Sequence, residues 1–343
     1  MMNFESYVVS NIVTLGLIVG CVLVARAVSR QPIWRDAAVQ LWNRRRLAIV
    51  VVGLYVTVGL ADSIAWRGGT PEDVIDVLPN APQSVLDRVF LGTKEASYSA
   101  PFASVEFYGG AELERPGTHP FGTDILGRDV LYLSLKGARV ALLIGGLTSL
   151  IAIPLALIFG VGAGYFGGRF DDFVFFLIST LASIPGLLLL IALIMAMGRG
   201  TLSVCIALGV TSWVGFCRLT RAETLKLREL DYISAARALG VPELRIVLRH
   251  ILPNLAHLIV ITFVLMFSGL VLSEAVLAWL GIGVDGSWGQ MIDGARDELS
   301  RDPIIWWNLS ASGAALFILI LAVNSVGDAI RDVLDPRTLK DPS

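Results

Sequence analysis

Long stretches almost free of charge recur along this chain, and they limit its fold more than any motif does. They cover residues 7–24, 47–65, 140–165, 173–197, 202–216 and 256–280, with a last run ending at Val326. A run of about 20 apolar residues is what a helix needs to cross a hydrocarbon core of ~30 Å. Inside lipid no water is available to backbone N–H and C=O groups, so an uninterrupted apolar run closes its hydrogen bonds as a helix. Only 16% of the 343 residues are charged, against roughly a quarter in soluble domains. The expected class is therefore an all-α polytopic membrane protein, with seven spans counted along the sequence.

Charge placement orients those spans. MMNFES, before the first run, has no Lys or Arg, whereas Arg26, Arg30, Arg35, Arg44, Arg45 and Arg46 follow it against Asp36 alone. Basic loops stay on the cytoplasmic side, so the N-terminus is expected outside. The first run lacks the basic n-region of a signal peptide and reads as a retained span. The domain reading that results is 1–46, a first helix with a basic linker; 47–66, a second helix; 67–139, an external subdomain rich in Pro, Gly and acids; 140–330, a core of transmembrane helices; and 331–343, a cytoplasmic tail. Trp66, Trp306 and Trp307 fit interfacial positions.

Between two apolar runs lies a basic island, residues 217–254, with seven Lys or Arg including Arg237 and Arg249. Asp231 is placed to cap a helix over 232–239. Gly240 can take the left-handed conformation that ends it. Pro242 suits the first turn of a next helix over 243–251, which Pro253 would close. A structured loop of this kind is a docking surface more naturally than a slack linker.

Other features are local. Gly160, Gly164 and Gly168 recur every four residues and would form one smooth helix face for close packing, or a flexible span end. Pro185 can kink the run it interrupts. Glu274 inside a span is costly and faces helices or water, either shaping a pathway or interface or pairing locally; Asn324 is a candidate interhelical donor. Thr123 or Asp124 can cap an interfacial helix ahead of the third span. His119 has no neighbouring His or Cys, and Asp124 and Asp129 more easily cap or pair with Arg128, so no metal site is expected. Cys21, Cys205 and Cys217 read as small apolar packing residues.

Three phrases carry a family resemblance. Ala235-Ala236-x3-Gly240, followed by Leu252-Pro253, resembles the EAA loop of ABC importer permeases. The wording HPFGTDILGRD at 119–129 and LSEAVLAWLGIG at 272–283 resembles the dipeptide, oligopeptide and nickel branch of that family. Here Ser234 stands where the motif usually opens with an acid, and the first span is additional to the family's usual six. The resemblance implies a type I ABC importer transmembrane fold with an extra N-terminal span and an external subdomain between spans 2 and 3. It also implies a multi-pass protein of a bacterial or archaeal cytoplasmic (inner) membrane. The loop would seat Tyr232, Ser234, Ala235, Ala236, Arg237, Gly240 and Val241 against a separate ATPase. The implied partners are a homologous second permease subunit, one or two cytoplasmic ABC ATPases carrying ATP-Mg, an extracytoplasmic solute-binding protein and the lipid bilayer, with no nucleic acid. The implied cargo is short peptides, nickel or small chelates.

The chain itself lacks the residues for the chemistry. No Gly-x4-Gly-Lys-Ser/Thr occurs, and no His-Glu-x-x-His or Gly-x-Ser-x-Gly. No catalytic residue and no bound cofactor are therefore expected. An ion-coupled secondary transporter or channel working without an ATPase is the other reading; it would call for more ionisable residues inside spans than Glu274.

Overall fold

The computed structural model describes residues 32–66 and 83–334, with Asn11, Leu15 and Arg26 before them. The rest of the expected first span at 7–24, residues 67–82 and the tail from 335 lie outside the described residues. Helices dominate: α1 Pro32–Ser63, α2 Val85–Val89, α3 Val130–Phe166, α4 Gly168–Ser183, α5 Gly186–Met197 and α6 Thr201–Arg228. Then come α7 Asp231–Ala238, α8 Glu243–Ile246, a π-helical turn Val247–Ile251, α9 Leu252–Asn254, α10 Ala256–Trp279, α11 Trp288–Glu298 and α12 Trp307–Leu334. Five described helices are long and apolar enough to cross a membrane, and α4 with α5 makes a sixth if the bent pair is one span.

Several boundaries differ from the sequence reading. The basic linker is helical from Pro32, with one non-helical residue at Arg45 (φ −138°, ψ 45°). The third span does not begin at Val140: α3 starts at Val130, and no separate interfacial helix precedes it among the described residues. The cap is Asp129, whose Oδ1 accepts from Leu131 N at 2.7 Å, while Asp124 accepts from Leu126 N and Arg128 N in the loop before it. Pro185 does more than kink its run. α4 and α5 meet at 91°, because Pro185-Gly186 is a turn-forming pair and Gly186 opens a new helix. Pro154 stays inside α3.

The chain divides into two compact units, 1–142 with 278–329, and 143–277 with 330–343. In the first, Trp288 is 2% exposed and donates from Nε1 to Ser134 O at 2.8 Å. Gly137 makes room for it: a Cβ there would lie 2.3 Å from the indole. Tyr55 meets the same ring edge-on at 5.8 Å and donates to Ala315 O. Trp307, expected at the membrane interface, is buried and donates to Thr123 O at 2.9 Å; Trp306 is the exposed one of the pair. The 83–129 segment pairs β1 Ala65–Trp66 with β2 Gln83–Ser84, and Ser84 with Asp87 forms a capping box on α2. Asp87 also accepts from Tyr132 and pairs with Lys136; against its burial, these partners hold its carboxyl below the usual range. His119 pairs with Asp129 at 2.8 Å, and no metal-binding cluster occurs among the described residues.

In the second unit α3 and α6 pack backbone to backbone. A Cβ on Gly160 would lie 2.6 Å from Cys217 O, and one on Gly164 would lie 2.7 Å from Arg221 O. Thr220 fills the seam, donating to Ala156 O at 3.3 Å. Around it Ala152, Ala156, Ala163, Val174, Trp213 and Phe216 form a buried cluster. Gly168 does not belong to this stripe: Gly167 (φ +65°) breaks the helix, and nothing lies within 4 Å of a Cβ on Gly168. Cys205 and Cys217 are buried and free, as expected of packing residues.

Two outcomes follow. Gly164→Leu forces a side chain into a backbone contact, an overpacking cost of about 1–3 kcal/mol; detergent-purified protein should melt several degrees lower, whereas Gly146→Ala, with open space around it, should not. Glu298 is buried with Oε2 unbonded among the described residues, and burial pushes its carboxyl above the ordinary glutamate value. A folded-state carboxyl with a raised pKa loses stability as pH rises through that value. Glu298→Gln should therefore raise the melting temperature most at pH 8 and least at pH 5.

Candidate functional site

The basic island is shorter than its composition suggests. Residues 217–228 continue α6, so the loop proper begins at Glu229. Asp231 does not cap the helix that follows. It is the first helical residue, Leu230 is the N-cap, and no side chain caps it. Asp231 instead places an acid in the first turn, where the helix dipole favours it.

The far end of α7 behaves as its sequence requires. Gly240 has φ +75° and donates to Arg237 O, while Val241 donates to Ala236 O at 3.1 Å. That pair of bonds is a Schellman motif, and it needs a left-handed residue at Gly240. Ala236 and Val241, the two residues the motif brings together, both pack on the apolar cluster beneath. Ile233, fully buried, is the central anchor of α7 in a cluster with Val161, Tyr165, Ile246, Ile251 and Leu255.

The opposite face is bare. Ser234, Ala235 and Ala238 are exposed, Leu239 is 84% exposed, and Leu244 and Leu248 continue the apolar surface. Tyr232 is exposed and receives a hydrogen bond from Asn254 at 3.2 Å. A shallow depression lined by Pro242, Leu244, Arg245, Leu248, Arg249 and Pro253 adjoins it. Pro253 does not close the second helix as expected. Backbone turns continue through a π-helical segment to Asn254, with Pro253 at the start of α9, where its missing N–H costs little.

Polar contacts fix this loop to the end of α3. The Tyr165 hydroxyl donates to Glu243, and the Arg237 guanidinium lies 5.5 Å over the Tyr165 ring and 3.6 Å from Glu243. Arg228 donates to Gly164 O at 2.9 Å, covering a carbonyl near the end of α3. Arg221 grips Asp171 with two bonds of 2.6 and 2.7 Å, joining α6 to α4. Sequence reasoning missed Tyr165, Glu243, Asp171 and Ile233 as parts of the site. The signal for Ile233 was its place opposite Ser234-Ala235 on a short helix; the polar pairs, 50 and 78 residues apart, left none. Glu274 is buried on α10, and Asn324 lies on α12, outside this loop.

Residues 152–340 match the family described as binding-protein-dependent transport system inner membrane component. The chain is 36% identical to the dipeptide transport system permease protein DppC of Bacillus subtilis, over 64% of this chain and 69% of that protein. It is 41% identical to a putative peptide transport system permease of Brucella suis, covering 64% and 74% respectively. With OppC of Haemophilus influenzae, an oligopeptide transport system permease, identity is 34% over 64% and 71%. Among solved structures, one chain from inward-facing conformations of the MetNI methionine ABC transporter aligns with a TM-score of 0.48 and 20% identity, over 59% of this chain and 97% of that one. The matched region takes in α6, α7 and the exposed apolar face between them and α10. On this ground the chain belongs to the family of binding-protein-dependent transport system inner membrane components.

Proposed function

We propose that this chain is one of two permease subunits of a peptide importer, and that α7 is the part pushed by a separate cytoplasmic ATPase. One observation carries the reading: an eight-residue helix, Asp231–Ala238, is anchored by Ile233 on one side and leaves Ala235, Ala238 and Leu239 uncovered on the other. Exposed apolar residues on a rigid loop, rimmed by Arg237, Arg245 and Arg249, suit a partner's groove. The relatives' names supply the cargo class, a short peptide. The loop lies on the cytoplasmic side, in keeping with its basic residues. A solute-binding protein delivers cargo to the extracytoplasmic face.

In this reading nucleotide binding draws the ATPases together and moves α7. A ligand shifts a two-state equilibrium only through a contact that differs between the states, and the exposed face of α7 is that contact. The push passes into α3 through Tyr165, Glu243 and Arg237 and through the buried cluster under Ile233. Domain boundaries at 67–139 and 140–330, a pathway or interface role for Glu274 and an interhelical role for Asn324 remain part of this proposal.

The test is co-purification and uptake. A tagged chain expressed with its neighbouring transport genes should bring down an ATPase, and proteoliposomes should accumulate labelled dipeptide only with ATP. Uptake without nucleotide would instead support an ion-coupled carrier and overturn the reading. Leu239→Asp and Ala235→Glu should reduce uptake at least tenfold with normal membrane insertion, since both side chains project from the loop. Tyr165→Phe removes one hydrogen bond to a carboxylate, about 1.5–3 kcal/mol. It should leave ATPase binding intact, lower uptake per ATP hydrolysed, and speed amide exchange in 231–246.

A further inference from the structure

A second cavity lies in the other unit. It has a volume of about 610 Å³ and runs between α1, α3 and α12, touching Leu54, Val58, Leu135, Ala314 and Ile318. Its roof is the segment before α3 and the start of α12, with Pro101, Phe121 and Trp306 at the rim. Three dimensions limit what can enter. Along α12 the lining runs from Trp307 to Ile318, which at 1.5 Å per residue is a depth of about 16 Å. That is half of a ~30 Å hydrocarbon core, the thickness of one leaflet. A helix ~10–12 Å across encloses roughly 400–600 Å³ per turn, so this volume takes about one turn and cannot house a span. A thin chain fits where a helix does not.

The polar chemistry agrees. Nearly every lining atom is apolar, and the Oγ of Ser134, a lining residue 8% exposed, is enclosed behind them with no hydrogen-bond partner among the described residues. Ser134 is one turn into α3 from Val130, near the roofed end of the cavity. Turned about its Cα–Cβ bond toward the groove, that hydroxyl can donate to an ester carbonyl at the head of an acyl chain whose tail descends past Ala314 to Ile318. We propose that this groove is a site for one acyl chain of a membrane phospholipid from the leaflet on the side of residues 83–129, with Ser134 bonding its ester carbonyl. The inference rests on the membrane-spanning character of the chain and not on its transport role.

The test uses the complete complex in vesicles of phosphatidylethanolamine and phosphatidylglycerol, a small share of the lipid carrying a diazirine on one acyl chain. After irradiation, lipid adducts should map to Leu54, Leu135 and Ala314 at several-fold the density found at Phe175, an exposed residue on α4. Ala314→Phe should fill the groove and abolish adducts at Leu54 and Leu135 while those at Phe175 persist. Should that variant fail to accumulate, Ser134→Ala serves, with adducts in the groove expected to fall at least threefold. Adduct density equal to that at Phe175 overturns the site. So do groove residues cross-linked to peptide, whether from a partner subunit or from residues 7–24. Uptake can fail or persist in either variant without bearing on the result.

Discussion

The approach of α3 to α6 at Gly160 and Gly164 sets the geometry of the second unit. At both positions the neighbouring helix presents a backbone carbonyl where a side chain would otherwise sit. Without a hydrophobic drive between helices in lipid, such contacts rely on dispersion and on polar groups that find partners. Thr220 does both, filling the seam and bonding Ala156 O. The same closeness lets Arg228 reach Gly164 O and leaves Tyr165, the next residue, over Glu243. The loop is held because two glycines permit its supports to meet.

Features governed by local backbone chemistry were legible in the sequence. Five of the long apolar runs became membrane-length helices, and Gly240 took the left-handed conformation a helix end after Ala238 demands. Features decided by partners far along the chain were not. Gly168 shares the spacing of Gly160 and Gly164, but Gly167 ends the helix before it, so spacing alone overcounted the stripe. Trp307 has the composition of an interfacial anchor, and only the carbonyl of Thr123, 184 residues away, makes it a buried one. Asp231 failed as a cap for a local reason: the chain enters α7 one residue earlier, with Leu230 extended at the N-cap. Pro154 and Pro185 show the same limit, one sitting within a continuous helix and the other breaking it, and the difference is the glycine that follows the second.

An isolated helix of eight residues is not stable in water, because nucleation fixes several residues for one bond. α7 therefore owes its shape to its supports: a buried Ile233, the Schellman turn, and the Tyr165–Glu243–Arg237 contacts. None of these uses the exposed side chains of Ala235 and Leu239. The division has a mechanical consequence. A surface ordered before its partner arrives loses little conformational entropy on binding, and a helix fastened by side chains of α3 cannot move alone. A force on Leu239 must either break the polar contacts at Tyr165 or carry the end of α3 with it. The apolar cluster under Ile233 resists separation, since parting it would expose Ile246, Ile251 and Leu255 together. Carrying α3 along is the lower-energy course, and it is the one a transport cycle needs.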